Sequence, residues 1–380
     1  MAIKEAKSEK VHMGMFFELD YGKDLKIDNK DRKIISILGE NCRIPVTTIG
    51  RLIHASKDSV RYRIKELVKK DIYRGNNTII NPFVLGFPCY AILVKLKNLN
   101  PEKEEKILSF FENHPFAIFA GQTQGDYDFN VVLTATDITH FDKLLREIEA
   151  KLSDSVKELK VLHITKMLGA NTVPLHFVKE NGISVDIDKL DSSFASLLRR
   201  PDVDTSLKVE PTMKEILILK AIAGNANLSL QDISEKTKVK PDTVKNTIKD
   251  LIRKKVIVAF RGAINVSFLK YHGYIVYFKL YPGIKEEKRK EFEDYFRHSD
   301  SLAFGTSASG SYYDEMIYLY AKDPLDFNKC LTDVKNKFSD IIEEYSADLI
   351  LKDYKFTFFP EGILSPAREL AVKIGAKFGF

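Results

Sequence analysis

The chain has 380 residues, 44% apolar and 11% aromatic, with 59 Lys/Arg against 53 Asp/Glu and a net charge of +6. That length suggests about two to four domains, and the apolar content is enough for real cores and excludes global disorder. Three cysteines without a CxxC spacing, eight scattered histidines without an HxxxH pair, and no apolar run near the ~18 residues of a membrane span argue against a disulfide scaffold, a zinc site and a membrane protein, so a soluble, cytoplasmic chain is expected.

The first 27 residues form an extension with balanced charge. From Asp28 the pattern becomes helical. Asp28-Asn29 can cap a helix carrying Ile34, Ile35, Ile37 and Leu38, which stops near Gly39 to Asn41. Pro45 suits the first turn of a second helix with Val46, Ile49 and Leu52 inward. Ser56 then caps a third, SKDSVRYRIKELVKK, whose spine is Val60, Ile64, Leu67 and Val68 and whose outer face is basic. DIYRGNNTII follows as an extended segment, with Gly-Asn-Asn expected at a hairpin tip. Three short helices and a hairpin make a winged helix-turn-helix over 28–80.

Residues 81–168 change character. CYAILVKL reads as a buried strand, and an amphipathic helix begins at Pro101. FAIFAGQ and DFNVVLTA are strands joined by a glycine-bearing turn, a helix begins after Asp137, and VKELKVLHIT closes. The order βαββαβ is that of a ferredoxin-like sandwich. One face of such a sheet lacks helices and is expected to become an interface.

A linker spans 169–210, with room for an extra helix near 188–199, and then the pattern returns. At a constant shift of 184, Ile34, Asn41, Ile49, Asp58, Val60, Ile64, Lys65, Leu67 and Lys70 recur unchanged. Helices are expected near 211–224, 229–236 and 240–255, with a hairpin around Arg261-Gly262, giving a second helix-turn-helix over 211–264. A second βαββαβ unit covers 265–360, and an apolar-basic tail covers 361–380. The fold class is therefore α+β, two tandem units of winged helix-turn-helix plus sandwich. Charge follows the same division. Segments 28–75 and 211–262 are each +6, while 81–168 and 263–360 are −2 and −3. Two basic islands on specific modules are the footprint of a polyanion partner, and double-stranded DNA is the expected one.

A third helix of this kind fits the major groove with its N-terminal side chains toward base edges. In the first copy Lys57, Ser59, Arg61, Tyr62 and Lys65 face outward. Arg61 suits guanine, Ser59 and Tyr62 a base or sugar, and Arg63 and Lys70 suit phosphates or local ion pairs. Arg74 lies on the wing. In the second copy the face is Lys240, Thr243, Lys245, Asn246 and Lys249, with Arg261 on the wing and Asn246 suited to adenine. The faces differ, so an asymmetric site is expected. The alternative is a protein-docking module with solvated lysines.

The run D-x-x-D-R-K-I-I-x-x-L from Asp28, with S-x-x-x-V-x-x-R-I-x-x-L from Ser56 and the sandwich behind it, resembles the Lrp/AsnC family of transcriptional regulators. The resemblance covers residues 28–168 strongly and 211–360 more weakly, where Thr247 stands opposite Arg63. It implies that the sandwiches are RAM domains, which pair through their sheets and bind amino acids or other small effectors in clefts between protomers. A turn ending G-x-Y-D lines that cleft, and it falls here on Gly121, Gly125, Asp126, Tyr127 and Asp128. Backbone amides around Gly125 can hold a carboxylate, and an acidic side chain an ammonium; the alternative is an ordinary hairpin with capping aspartates. Pairing of the two halves within one chain, as a pseudo-dimer, competes with homo-oligomers built between chains. Sirohaem decarboxylases resemble the same family and occur as fused two-copy chains. However, the second and third strands here carry no histidine or arginine, and the chain has no tryptophan. No phosphate loop, Ser/His/Asp arrangement or metal cluster appears, so no catalytic residue, no metal and no cofactor is expected.

Overall fold

In the computed structural model, which describes residues 26–97, 101–181 and 208–364, the first helices form where their caps stand. The carboxylate of Asp28 accepts from the Asp31 amide at 2.8 Å and starts α1 (Asn29–Glu40). After α2 (Val46–Ile53), the Ser56 hydroxyl accepts from the Ser59 amide and starts α3 (Lys57–Lys69). The turn between α2 and α3 is tight: a Cβ on Gly50 would stand 2.6 Å from the Ala55 carbonyl oxygen, so only glycine fits there. Val60 and Leu67 are buried and Ile64 is half-buried, but Val68 is 54% exposed, so the apolar spine of α3 is one residue shorter than expected. The second copy is α7 (Met213–Ala223), α8 (Leu230–Thr237) and α9 (Pro241–Arg253), with capping boxes at Thr212/Glu215 and Ser229/Asp232. On α9 all four spine residues, Val244, Ile248, Leu251 and Ile252, are buried.

Neither wing is a hairpin. Residues expected to turn at Gly75-Asn76-Asn77 run straight through β1 (Tyr73–Ile80), and those around Arg261-Gly262 run through β6 (Ile257–Ile264). The two strands pair with each other, antiparallel, with Asn77 opposite Arg261 and Thr78 opposite Phe260. The reason is burial. Every residue of β6 and the last four of β1 are buried, and backbone groups buried so deeply must be paired; the other copy provides the partner. The Thr78 hydroxyl donates to the Ile222 carbonyl of α7 at 2.7 Å, and a Cβ on Gly262 would meet the Leu38 carbonyl oxygen of α1 at 2.9 Å. The two helix-turn-helix modules thus share one sheet and one core.

The sandwiches are β2 (Cys89–Leu96), α4 (Pro101–Asn113), β3 (Ala117–Gln124), β4 (Phe129–Thr134), α5 (Ile138–Leu152) and β5 (Val156–Ala170), then β7 (His272–Leu280), α10 (Glu286–Arg297), β8 (Leu302–Ser309), β9 (Glu315–Ala321), α11 (Pro324–Phe338) and β10 (Ile342–Phe356). Both last strands are 15 residues long. The N-terminal part of β5 pairs with β2 in its own sheet, and its C-terminal part crosses to β8 of the other. In the same way β10 pairs first with β7 and then with β3. The result is a closed eight-stranded barrel in the order β10-β3-β4-β2-β5-β8-β9-β7. Closure leaves no free sheet edge. The helix-free faces therefore meet inside one chain, where Phe119 packs edge-on against Tyr318 at 5.6 Å and Phe356 stands between Phe119 and Phe304.

A short helix without a sequence counterpart, α6 (Leu175–Glu180), follows β5 in the segment expected to be linker, with Arg32 of α1 over the Phe177 ring. The helix expected near 188–199 lies outside the described residues, as do most of the N-terminal extension and the C-terminal tail. Among the described residues no helix is long and apolar enough to cross a membrane, and no group of His, Cys, Asp and Glu could hold a metal ion.

Candidate nucleic-acid interface and the loop behind it

The outer face of α3 carries Lys57, Arg61, Tyr62 and Lys65 in the open, with Ser59 half-buried at the first turn. Tyr62 is 65% exposed, an unusual position for a large aromatic unless it meets something. Arg61 lies 3.7 Å from Asp58, with both side chains well exposed. A pair so exposed contributes little and releases easily. On α9, Lys240 and Asn246 are exposed, and Thr243, Lys245 and Lys249 are half-buried. At corresponding positions the first module presents Arg61 and Tyr62, the second Lys245 and Asn246.

Three arginines expected at DNA are engaged elsewhere. Arg63 donates to Asp28 and Asp31, each at 2.7 Å, and stitches α3 to the start of α1. Hydrogen bonds to Asp31 and Asp28 raise its basicity further. Arg74 is only 11% exposed in its side chain and grips Asp71 through both carboxylate oxygens. Arg261 is 5% exposed and donates to the carbonyls of Gly39 and Glu40, so it belongs to the core between the modules. In each case an acceptor near in space captures the donor, and charge alone does not reveal it. Lys70 is half-buried, with its ammonium 3.3 Å from the Lys26 carbonyl.

The expected effector loop divides in the same way. Gly121 lies within β3 opposite Asp353, and a Cβ there would strike the Phe119 ring. Asp128 is an anchor: its carboxylate accepts from the Leu96 amide at 2.7 Å and pairs with Lys95, and Asp314 does the same for Leu280 and Arg289 in the second copy. Gly125, Asp126 and Tyr127 do form a cradle of amides, but it is filled. Oδ1 of Asp348, from β10, accepts from the Asp126 amide at 2.6 Å and the Tyr127 amide at 3.3 Å. Ser346 of the same strand donates to the Asp126 carboxylate at 2.6 Å. Asp348 and Ser346 escaped sequence reading because they lie more than 200 residues from the loop, and only strand order brings them there.

Burial raises the Asp348 carboxyl to about 6, against the pull of the Tyr127 and Asp126 amides, while Asp126 pushes it up and the Tyr277 hydroxyl pulls it down. Its folded value exceeds the ordinary 3.8. The part of its contribution to stability that depends on holding a proton is therefore fully present below about 4 and is lost as pH rises through about 6, while its bonds to the two amides remain. Asp348→Asn should accordingly gain stability relative to the natural protein as pH climbs through that interval. Denaturant titrations at several pH values would show this, and a difference independent of pH would contradict it.

A cavity of about 70 Å³ lies between the two sheets, lined by Phe119, Phe304, Tyr318, Tyr320, Phe356 and Phe358 among other mostly apolar residues, and among the described residues no Lys, Arg or His lines it.

Comparison with known proteins identifies both helix-turn-helix modules. The AsnC-type helix-turn-helix domain matches residues 27–68, and a winged helix-turn-helix DNA-binding domain matches residues 214–258. The HTH-type transcriptional regulator Ptr1 of Methanocaldococcus jannaschii is 36% identical over 121 residues, 32% of this chain and 80% of that protein. An uncharacterised HTH-type transcriptional regulator of Pyrococcus horikoshii is 32% identical over 157 residues, 40% of this chain and 95% of that one. Among solved structures, the sirohaem decarboxylase NirDL superposes with a TM-score of 0.55 over 91% of this chain and 99% of its own, at 12% identity. That likeness is one of fold.

Proposed function

The chain belongs to the Lrp/AsnC family of helix-turn-helix transcriptional regulators, and from that membership we propose that one chain reads an asymmetric DNA site with two unlike recognition helices. The observation that carries this reading is the β1–β6 sheet. It fixes the two modules to each other, while the two faces they present differ at the positions of Arg61 and Tyr62. In a symmetric pair of identical chains both half-sites would be the same; here Arg61 favours guanine and Asn246 favours adenine. Lys57, Lys65, Lys240 and Lys249 provide the phosphate contacts that set register. The partner is double-stranded DNA in the cytoplasm, and the function is regulation of transcription without catalysis. A small effector of the kind the resemblance implies would have to displace Asp348 from the first loop.

Selection from random-sequence duplexes tests the proposal. Enrichment of a bipartite, non-palindromic motif is expected. A palindromic motif would overturn the asymmetric reading, and binding without enrichment would overturn sequence-specific recognition.

A further inference from the structure

We propose that Asp348 is an internal ligand, whose carboxylate occupies within the chain the amide cradle that would otherwise take the carboxylate of an amino acid or another small acid. The proposal rests on the regulator reading for its consequence, a first sensing loop held permanently in one liganded state, but not for its geometry.

Oδ1 of Asp348 accepts from two consecutive amides, those of Asp126 and Tyr127, as an anion does in a backbone nest. The fit is close enough that a Cβ on Gly125 would collide with that oxygen, and it would stand 2.9 Å from the Ala347 carbonyl oxygen. The strand that brings the carboxylate also brings Ser346 to the Asp126 side chain, so β10 ties down the loop twice. A positive charge is present in cis as well. The ammonium of Lys160 lies 3.9 Å from the ring centre of Tyr312, 5.4 Å from that of Tyr313 and 5.5 Å from that of Tyr127. An anion and a cation of the chain thus both flank Tyr127, the cation itself paired with Glu158 at 3.3 Å.

The second copy shows that the fold does not require this. In the barrel Leu349 stands opposite Gln124 and His163 opposite Ser309, which places Leu162 where the first site has Asp348. Leucine offers no carboxylate to the second loop, and a Cβ on Gly310 there would meet nothing within 4 Å. Self-occupation is confined to one of two pseudo-equivalent loops and is written in one residue.

The test is thermal unfolding of the full chain near neutral pH, with sodium chloride exchanged for sodium acetate at constant ionic strength. The natural protein should melt at the same temperature in both salts. Asp348→Ala should melt lower in chloride and recover by several degrees as acetate refills the cradle, because a ligand that binds only the folded state stabilises it by mass action. Asp348→Asn, which keeps an acceptor oxygen in place, should not respond. If the alanine variant does not fold, Asp348→Ser vacates the cradle more gently and is read in the same way. An acetate response equal in the natural protein and the vacated variant, or absent from a folded vacated variant, would overturn the proposal. Melting is read without DNA, so this result and the DNA selection fail independently.

Discussion

Replacing Arg61 with alanine is expected to weaken binding to the selected DNA site about 5- to 150-fold, the 1–3 kcal/mol of a bidentate arginine–guanine contact, and to relax preference at one half-site only. The side chain is free to make that contact, since its ion pair with Asp58 is 3.7 Å long and exposed at both ends. It projects from the first turns of α3, two residues after a serine whose amide is already held by the Ser56 cap, so its backbone is rigid before DNA arrives. Folding should be untouched, because nothing in the core rests on it. Lys245→Ala at the corresponding place on α9 should cost less and discriminate less, since an ammonium is a point charge without the guanidinium fork. Competition between the selected site and single-base variants is the measurement. A loss spread evenly over all sequences, with a shallower dependence on salt, would place Arg61 on phosphate and sink base reading by that residue.

The division between legible and illegible features follows sequence distance. Caps and apolar spacing are local, so the helices at Asp28, Ser56, Thr212 and Ser229 announce themselves within a few residues. The duplication was legible too, because nine identities recur at one shift. The strand pairing was not. Gly75-Asn76-Asn77 has turn chemistry, and a hairpin is the nearest local solution for an extended segment that needs a partner. The actual partner is the equivalent strand of the other copy, which no local pattern names. The order of the sandwich strands is legible, but β5 continues five residues beyond the expected ten, and its pairing with the other sheet starts at His163 and runs on through that extension. Among candidate site residues, helical periodicity sufficed for Lys57, Arg61, Tyr62 and Lys65, which stand exposed on one face of α3. For Arg63 it left phosphates and local ion pairs both open, and the two carboxylates at the start of α1 make it an ion pair.

Arg261 makes the same point with the largest energetic consequence. Read as a wing residue, it looks like a DNA contact; in the fold it is a cap. Helix α1 has no basic residue in its last turn, and the final carbonyls of any helix lack intrahelical donors. The guanidinium of Arg261 reaches across from β6 of the other module, donates to the Glu40 carbonyl at 2.6 Å and the Gly39 carbonyl at 3.3 Å, and lies 3.5 Å from the Glu40 carboxylate. It thereby puts a positive charge at the negative end of the α1 dipole. Arg261→Ala should strip the Glu40 carbonyl of this donor, leave the Gly39 carbonyl only the Thr172 hydroxyl at 3.4 Å, and open a cavity beside the β1–β6 sheet, at a cost of about 2–4 kcal/mol in stability. The sequence preference of the protein that remains folded should not change. Denaturant unfolding together with the selection experiment distinguishes the two arginines: Arg61→Ala loses affinity and keeps stability, whereas Arg261→Ala loses stability and keeps its motif. If instead Arg261→Ala unfolded like the natural protein and bound DNA more weakly, with a flatter salt dependence, the residue would be a phosphate contact, and the sheet joining the two reading heads would owe its order to something else.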